Sequence, residues 1–439
     1  MQRPNIIFVF ADQWRAQATG YTGNPNVKTP NLDLLANNSI NFSNAVSCCP
    51  VCSPYRASLL TGQYPLTHGV FLNGVPLDPD TGSIAKEMKK YNYNTAYIGK
   101  WHLDGHTDKA PIPKERRQGF DYWKAIDISH SYFNSPFYSH ESDQLQQWDG
   151  YEPFAQTKDA INYIQNYNDL NPFLMVLAWG PPHDPLRNFP EDYRKMYQPE
   201  NIQTRPNVPD EKSSVVQNWL CGYYAHCSAL DTCLGWLKAA LKNNGIENNT
   251  IFIFTSDHGN MLGSQDEIKK QRPWDESVCV PFLFHYPGME NWNPRTIDTP
   301  INVTDIMPTL LGLCSIPIPD YVEGSNFSDY LQGGDDPTDG AALLSLPQPF
   351  GNWSKNKYDS REYRGIRTRQ FTYIQDLNGP WLLYDNLNDP YQLTNLISDK
   401  AFEHEKNILK NVLAEKLQAT NDDFLPGTEY LKKWNYPDD

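Results

Sequence analysis

The chain has 439 residues, 39% hydrophobic and 20% charged, with 35 prolines, 26 glycines and no low-complexity tract, which excludes a collagen, a coiled coil or a wholly disordered protein. At roughly 150 residues per domain, the length allows two or three domains or one large α/β domain with an appendage. Lys and Arg number 37 against 52 Asp and Glu, so the formal charge of -15 opposes nucleic acid and anionic lipid, and an anionic substrate would need cations gathered in one pocket. In chain order, the apolar patterning predicts a strand over Ile6–Ala11, helices over Pro30–Ala36, Pro54–Leu60 and Ser83–Lys90, and a strand over Thr95–Ile98. Polar residues mixed with aromatics between Gly105 and Pro153 read as long loops over a site. A helix over Ala155–Tyr167, a strand over Phe173–Ala178, a long helix over Val215–Leu241, strands over Ile251–Thr255 and Val280–His285 and a helix over Thr304–Leu311 follow. After about Asp335, Tyr363–Arg367, Phe371–Ile374 and Trp381–Tyr384 read as a small antiparallel sheet, closed by a helix over Ala401–Leu417.

This alternation predicts an α/β fold, with a large, mostly parallel sheet sandwiched by helices (residues 1–335) and a smaller C-terminal α+β subdomain with a short antiparallel sheet and a helix (residues 336–439). No stretch reaches the ~20 apolar residues of a membrane span, and the nearest, Val215–Leu241, contains Asp231 and Lys238. The N-terminus has no signal-peptide pattern, because Asn5–Ala11 already reads as a core strand; the expectation is a cytoplasmic protein, or a periplasmic or secreted one if a leader has been removed. Eight cysteines are too sparse for a disulfide scaffold.

In open α/β sheets ligands gather at the carboxyl ends of strands. The predicted strands end in Asp12-Gln13, in Gly99-Lys100-Trp101-His102, in Pro181-Pro182-His183 and in Ser256-Asp257-His258-Gly259. Two carboxylates, an amide, three imidazoles and a lysine are thereby delivered to one edge. The sharpest motif is Cys52-Ser53-Pro54-Tyr55-Arg56-Ala57-Ser58-Leu59-Leu60-Thr61-Gly62. Pro54 suits the first turn of a helix, which places Cys52 just before a helix N-terminus with Arg56 able to fold back over it. Cys49-Pro-Val-Cys52 also has the spacing of a redox or zinc pair, although zinc needs further Cys or His at metal spacing and a thioredoxin-like fold is much shorter.

C-x-P-x-R followed by four residues and Thr-Gly resembles the signature of the type I sulfatases, which belong to the alkaline phosphatase superfamily. The resemblance extends over nearly the whole chain, through Pro4-Asn5-Ile6-Ile7 to Asp12-Gln13, Thr29-Pro30-Asn31-Leu32-Asp33, Gly99-Lys100-Trp101-His102-Leu103, Pro182-His183, Thr255-Ser256-Asp257-His258-Gly259, Lys270 before Pro273-Trp274-Asp275-Glu276-Ser277, and Leu383-Tyr384-Asp385 with Asn388-Asp389-Pro390. It implies that a maturation enzyme oxidises Cys52 to formylglycine, whose hydrate attacks sulfur through one hydroxyl and expels sulfate with the help of the other. It also implies one divalent metal on Asp12, Gln13, Asp257, His258 and an oxygen of matured Cys52. Calcium is favoured, with magnesium or manganese in reserve because many relatives carry Asp and Asn where this chain has Gln13 and His258. By the same resemblance Lys100 and Lys270 grip sulfate, Arg56 orients the formylglycine, His102 accepts a proton during sulfate elimination and His183 donates to the leaving oxygen. Spacing to Pro273 favours Lys270 over Lys269. His68 and His226 read as structural. Trp101, Asp104, His106 and Arg187 follow the catalytic segments and are expected to line the leaving-group pocket.

The expected function is hydrolysis of a sulfate monoester, with a sulfated small molecule or glycan as substrate. The 12 Trp and 26 Tyr favour a carbohydrate. Phosphonate monoester or phosphodiester hydrolysis is a second reading, and a non-catalytic sulfoglycan-binding protein a third. Neither nucleic acid nor a membrane is an expected partner.

Overall fold

The computed structural model describes residues 3–105, 110–351 and 361–436. Its main sheet has ten strands in the spatial order Arg295–Ile297, Ile40–Phe42, Phe282–His285, Thr250–Ser256, Asn5–Asp12, Phe173–Pro182, Asn94–Lys100, Tyr122–Ile126, Pro136–Ser139 and Gln146–Gln147. The central strands from Thr250–Ser256 to Tyr122–Ile126 are parallel, and Phe282–His285 and Pro136–Ser139 run antiparallel to them. Burial on both faces explains why these strands read as unbroken apolar runs. Along Asn5–Asp12, Ile6, Phe8 and Phe10 enter the core that holds Tyr55, Leu59 and Leu60 of the helix Cys52–Thr61. Ile7, Val9 and Ala11 face the other core, with Leu220, Leu230 and Leu234 of the helix Ser213–Asn243. The motif helix and the long helix therefore cover opposite faces of one strand, whose carboxyl end carries Asp12.

Among the described residues, the expected loop region between Gly105 and Pro153 contains three strands, Tyr122–Ile126, Pro136–Ser139 and Gln146–Gln147, which extend the main sheet. In the first of these, half-buried Tyr122 and Lys124 alternate with buried Trp123 and Ala125, a half-buried pattern rather than a loop. The C-terminal sheet gains an unexpected fourth strand, Ala341–Leu346, beside Tyr363–Thr368, Phe371–Asp376 and Gly379–Asp385, all antiparallel. One face of this sheet, including Leu344, Tyr363 and Ile374, continues the main core; the other packs Leu343, Ile366 and Leu383 on Leu409, Leu413 and Leu417, of which the last three lie on the helix Glu403–Ala419. No helix among the described residues is long and apolar enough to cross a membrane.

Candidate active site

Four parallel strand ends, one helix start and the loop that carries Lys270 build the site. The strands Asn5–Asp12 and Thr250–Ser256 run in register, so Asp12 and Asp257 emerge side by side. Gln13 follows in a left-handed conformation (φ 72°), and so does His102 (φ 59°) after the strand Asn94–Lys100. Such backbone persists where surrounding contacts over-determine it. Gln13 N–H donates to Asp257 Oδ1 at 2.9 Å, and Ser53 Oγ donates to His102 O at 2.7 Å. Gly99 is required sterically, because a Cβ there would lie 2.1 Å from Ala178 O on the neighbouring strand. Cys52 is the first residue of its helix, not the residue before it, and the next amide, Ser53 N–H, is taken by Asn73 Oδ1 at 3.0 Å.

These elements converge on the Cys52 thiol. Sγ lies 2.9 Å from Lys270 Nζ, 3.3 Å from His258 Nε2, 3.6 Å from Asp12 Oδ1 and 3.8 Å from Lys100 Nζ. Lys100 Nζ pairs with Asp12 Oδ2 at 2.6 Å. Arg56 bridges both carboxylates, at 3.2 Å to Asp12 Oδ2 and 3.3 Å to Asp257 Oδ2, while its Nη1 donates to Lys100 O at 2.6 Å and its guanidinium covers the Phe10 ring. Lys270 Nζ also reaches His258 Nε2 at 3.1 Å and His183 Nε2 at 3.2 Å. Ligand atoms of Asp12, Cys52, Asp257 and His258 all lie within 4.8 Å of one another. Gln13 adds a buried Oε1 with no hydrogen-bond partner, while its Nε2 donates to Asp184 Oδ1 at 3.2 Å. Two carboxylates, an imidazole and an unsatisfied amide oxygen are a donor set that fits a divalent cation. His258 Nδ1, bonded to Gly259 O at 2.9 Å, leaves Nε2 directed at the cluster.

Electrostatics sort the groups by charge. Burial opposes ionisation of Asp12, yet Lys100, His183, Lys270 and Arg56 hold it well below the usual carboxylate range. Burial and Asp12 likewise oppose ionisation of the Cys52 thiol, but Lys100, Lys270 and His258 pull it well below its ordinary value. Asp257 is pushed up to about 6 by burial and by Asp12. Burial is countered at Lys270 by Cys52 and Asp12, which raise it. Burial, with Lys100 second, lowers His102 to about 4, and burial with Lys270 lowers His183 to about 3; both imidazoles are neutral at pH 7.

Thus Asp12, Gln13, Cys52, Arg56, Lys100, His102, His183, Asp257, His258 and Lys270 are brought together, and Lys270 rather than Lys269 faces the thiol. The pocket residues fare differently. Trp101 is fully buried against Tyr97 and Trp123, with ring centroids at 4.9 and 5.0 Å. The Asp104 carboxylate is engaged by Arg116. His106 lies outside the described residues. Arg187 is exposed and lines a cleft beside Asp184. His68 bonds Ser58 Oγ and Val70 N, and His226 bonds the Tyr151 hydroxyl, so both are satisfied core residues. Cys49 is buried and outside the cluster, and no disulfide joins it to Cys52. Sequence reasoning missed the segment that brackets His183: the His130 ring lies 4.6 Å from the His183 ring, and the buried Tyr132 hydroxyl donates to His183 O at 2.8 Å. Both belonged to the aromatic stretch read as loop, and no motif tied them to His183.

The mostly parallel sheet gathers a carboxylate and imidazole cluster around one cysteine at its strand ends, and its relatives and structural neighbours belong to the alkaline phosphatase superfamily of hydrolases. A family model described as Sulfatase matches residues 4–316, and one described as N-sulphoglucosamine sulphohydrolase, C-terminal, matches residues 266–420. The chain belongs to the sulfatase family and is a sulfuric ester hydrolase. It is 45% identical to the ulvan-active sulfatase of Formosa agariphila, over 99% of this chain and 85% of that one. With the endo-4-O-sulfatase of Bacteroides thetaiotaomicron it shares 32% identity over 91% of this chain and 89% of the relative. Among solved structures, the yidJ protein of Bacteroides fragilis superposes with a TM-score of 0.87 at 30% identity, covering 98% of this chain and 97% of that chain.

Proposed function

We propose that this sulfatase releases inorganic sulfate from a carbohydrate sulfate ester, with Cys52 matured to formylglycine by a separate enzyme. The observation that carries the reading is the convergence of Lys100, Lys270, Arg56, His102 and His183 around Cys52 at a helix N-terminus. The names of the ulvan-active and endo-4-O-sulfatase relatives support a glycan as the substrate. Formylglycine supplies a geminal diol as nucleophile at the place of Sγ. A divalent cation on Asp12, Gln13, Asp257 and His258 supplies Lewis-acid polarisation of the sulfate; calcium is the first choice, magnesium or manganese the reserve.

The chain's own groups do the rest. Lys100 and Lys270, both buried and at 3.8 and 2.9 Å from Cys52 Sγ, hold sulfate oxygens and offset their charge as the S–O bond lengthens. Arg56 keeps both carboxylates aligned and its guanidinium beside the nucleophile. His183 Nδ1 donates to Asp184 O at 2.8 Å, which directs Nε2 toward Lys270. A sulfate ester bound between Lys270 and His183 favours the imidazolium that burial disfavours, so Nε2 can pass a proton to the leaving oxygen. His102, neutral beside Cys52, accepts the hydroxyl proton that permits sulfate to leave.

The test is a panel of defined sulfated mono- and disaccharides, assayed for sulfate release by matured protein beside phosphonate esters of the same alcohols. Selective sulfate release supports the reading; faster phosphonate hydrolysis would replace it with the second one, and no release from any sugar sulfate would move the substrate outside the carbohydrates.

A further inference from the structure

Beside the catalytic cluster lies a cleft of about 530 Å³, lined mainly by apolar side chains that include Leu262 and Ile268, with half-buried Trp219 among them. Two cations, Arg187 and Lys269, stand in the same lining. The ion pair Asp184–Lys269 stands where the cleft meets the cluster. Asp184 Oδ2 lies 3.8 Å from Lys269 Nζ, while Asp184 Oδ1 accepts from Gln13 Nε2 at 3.2 Å and lies 3.8 Å from His183 Nδ1. Asp184 thus belongs to the cleft lining and also contacts His183 and Gln13, so the cleft adjoins the place where the leaving oxygen would meet His183.

Lys269 is matched by Asp184, whereas exposed Arg187 has no ion-pair partner among the described residues. On a chain of net charge -15, an unmatched guanidinium beside the site is a local exception to a surface that repels anions. Its fork-shaped donor set suits a carboxylate or a sulfate, and an indole with neighbouring aliphatic side chains suits the apolar face of a sugar ring.

We propose that this cleft is a subsite for the sugar next to the sulfated one, and that Arg187 recognises a second anionic group on that sugar. The substrate class is then an oligosaccharide with charge on adjacent residues, rather than an isolated sugar sulfate. The inference rests on the sulfatase reading only for the placement of the sulfated sugar, so it is tested by binding, separately from turnover.

Three disaccharides with the same sulfated sugar serve as probes, the neighbouring sugar being neutral, carboxylated or itself sulfated. Their dissociation constants are measured on the full chain carrying Cys52→Ala, with and without Arg187→Ala; residue 187 is exposed, so the substitution should leave folding intact, as a thermal melt checks. The expected result is about tenfold tighter binding of one or both charged disaccharides over the neutral one, lost with Arg187→Ala and largely regained with Arg187→Lys at low salt. Which charged probe is favoured identifies the group as a carboxylate or a sulfate. Equal affinity for all three probes, or a preference that survives Arg187→Ala, overturns the proposal, and failure of matured wild-type protein to release sulfate from any probe would instead overturn the carbohydrate-sulfate reading.

Discussion

Arg56→Met tests how the two central carboxylates are kept charged. Arg56 is 1% exposed and contacts Asp12 and Asp257, each fully buried, at 3.2 and 3.3 Å. Removing one partner of a buried pair typically costs ~3–5 kcal/mol, because the remaining charge is stranded. Asp12 retains Lys100 at 2.6 Å, and Asp257 retains the N–H groups of Gln13 and His258, both at 2.9 Å, which places the loss at the lower end, ~3 kcal/mol. That is roughly a hundredfold in the folded-to-unfolded ratio. A cation on the same carboxylates would take over part of the compensation, so the loss should shrink to about 1 kcal/mol when calcium is supplied. Urea unfolding of wild type and variant, each in chelator and in excess calcium, measures both values. A loss below about 1 kcal/mol in chelator, or the same loss in both buffers, would refute the reasoning.

Asp12→Ala and Asp257→Ala should each lower bound metal and turnover together, checked by elemental analysis beside sulfate release; full activity in verified metal-free protein rejects the cluster. His183→Ala should impair a sugar sulfate by about 10²–10⁴-fold but a nitrophenyl sulfate far less, because a phenolate leaves without a proton. Equal losses on both esters, with chemistry rate-limiting, would leave His183 as a sulfate contact only. His102→Ala should slow both esters alike and show a burst of alcohol release, since its step follows departure of the alcohol; no burst argues against that order. Burial holds His68 and His226 at about 3, below the ~6.5 of an unfolded chain. Between these values the unfolded state carries protons that the folded state lacks, so stability falls on acidification below pH 6.5, by ~1.4 kcal/mol per pH unit for each imidazole. His226→Gln should flatten the slope by that amount, and an unchanged slope in urea midpoints would exclude its contribution.

What the sequence discloses follows from how each contact is encoded. Parallel strands buried on both faces leave apolar runs, and the polar residues at their ends mark the edge where the candidate site forms; the convergence of Asp12, Lys100, His183 and Asp257 there is legible for that reason. Strand Tyr122–Ile126 was obscured because polar residues occupy its half-buried positions. Ala341–Leu346 is rich in Ala and Leu, which favour helices, and becomes a strand only by pairing with Tyr363–Thr368. Adjacency misled at Trp101, next to Lys100 in the chain but turned into an aromatic core. His130 and Tyr132 meet His183 across about fifty residues, through a contact that no local spacing records.

The central claim is that the chemistry runs through a formylglycine made from Cys52. Its most direct test is peptide mass spectrometry across Cys52–Gly62 on preparations matured to different extents, with sulfate release from one sugar sulfate measured on each. The account predicts the thiol-to-aldehyde mass loss at Cys52 and turnover proportional to the converted fraction, falling to background for Cys52→Ala. Full turnover in protein whose Cys52 remains an unmodified thiol, or in Cys52→Ala, would contradict it.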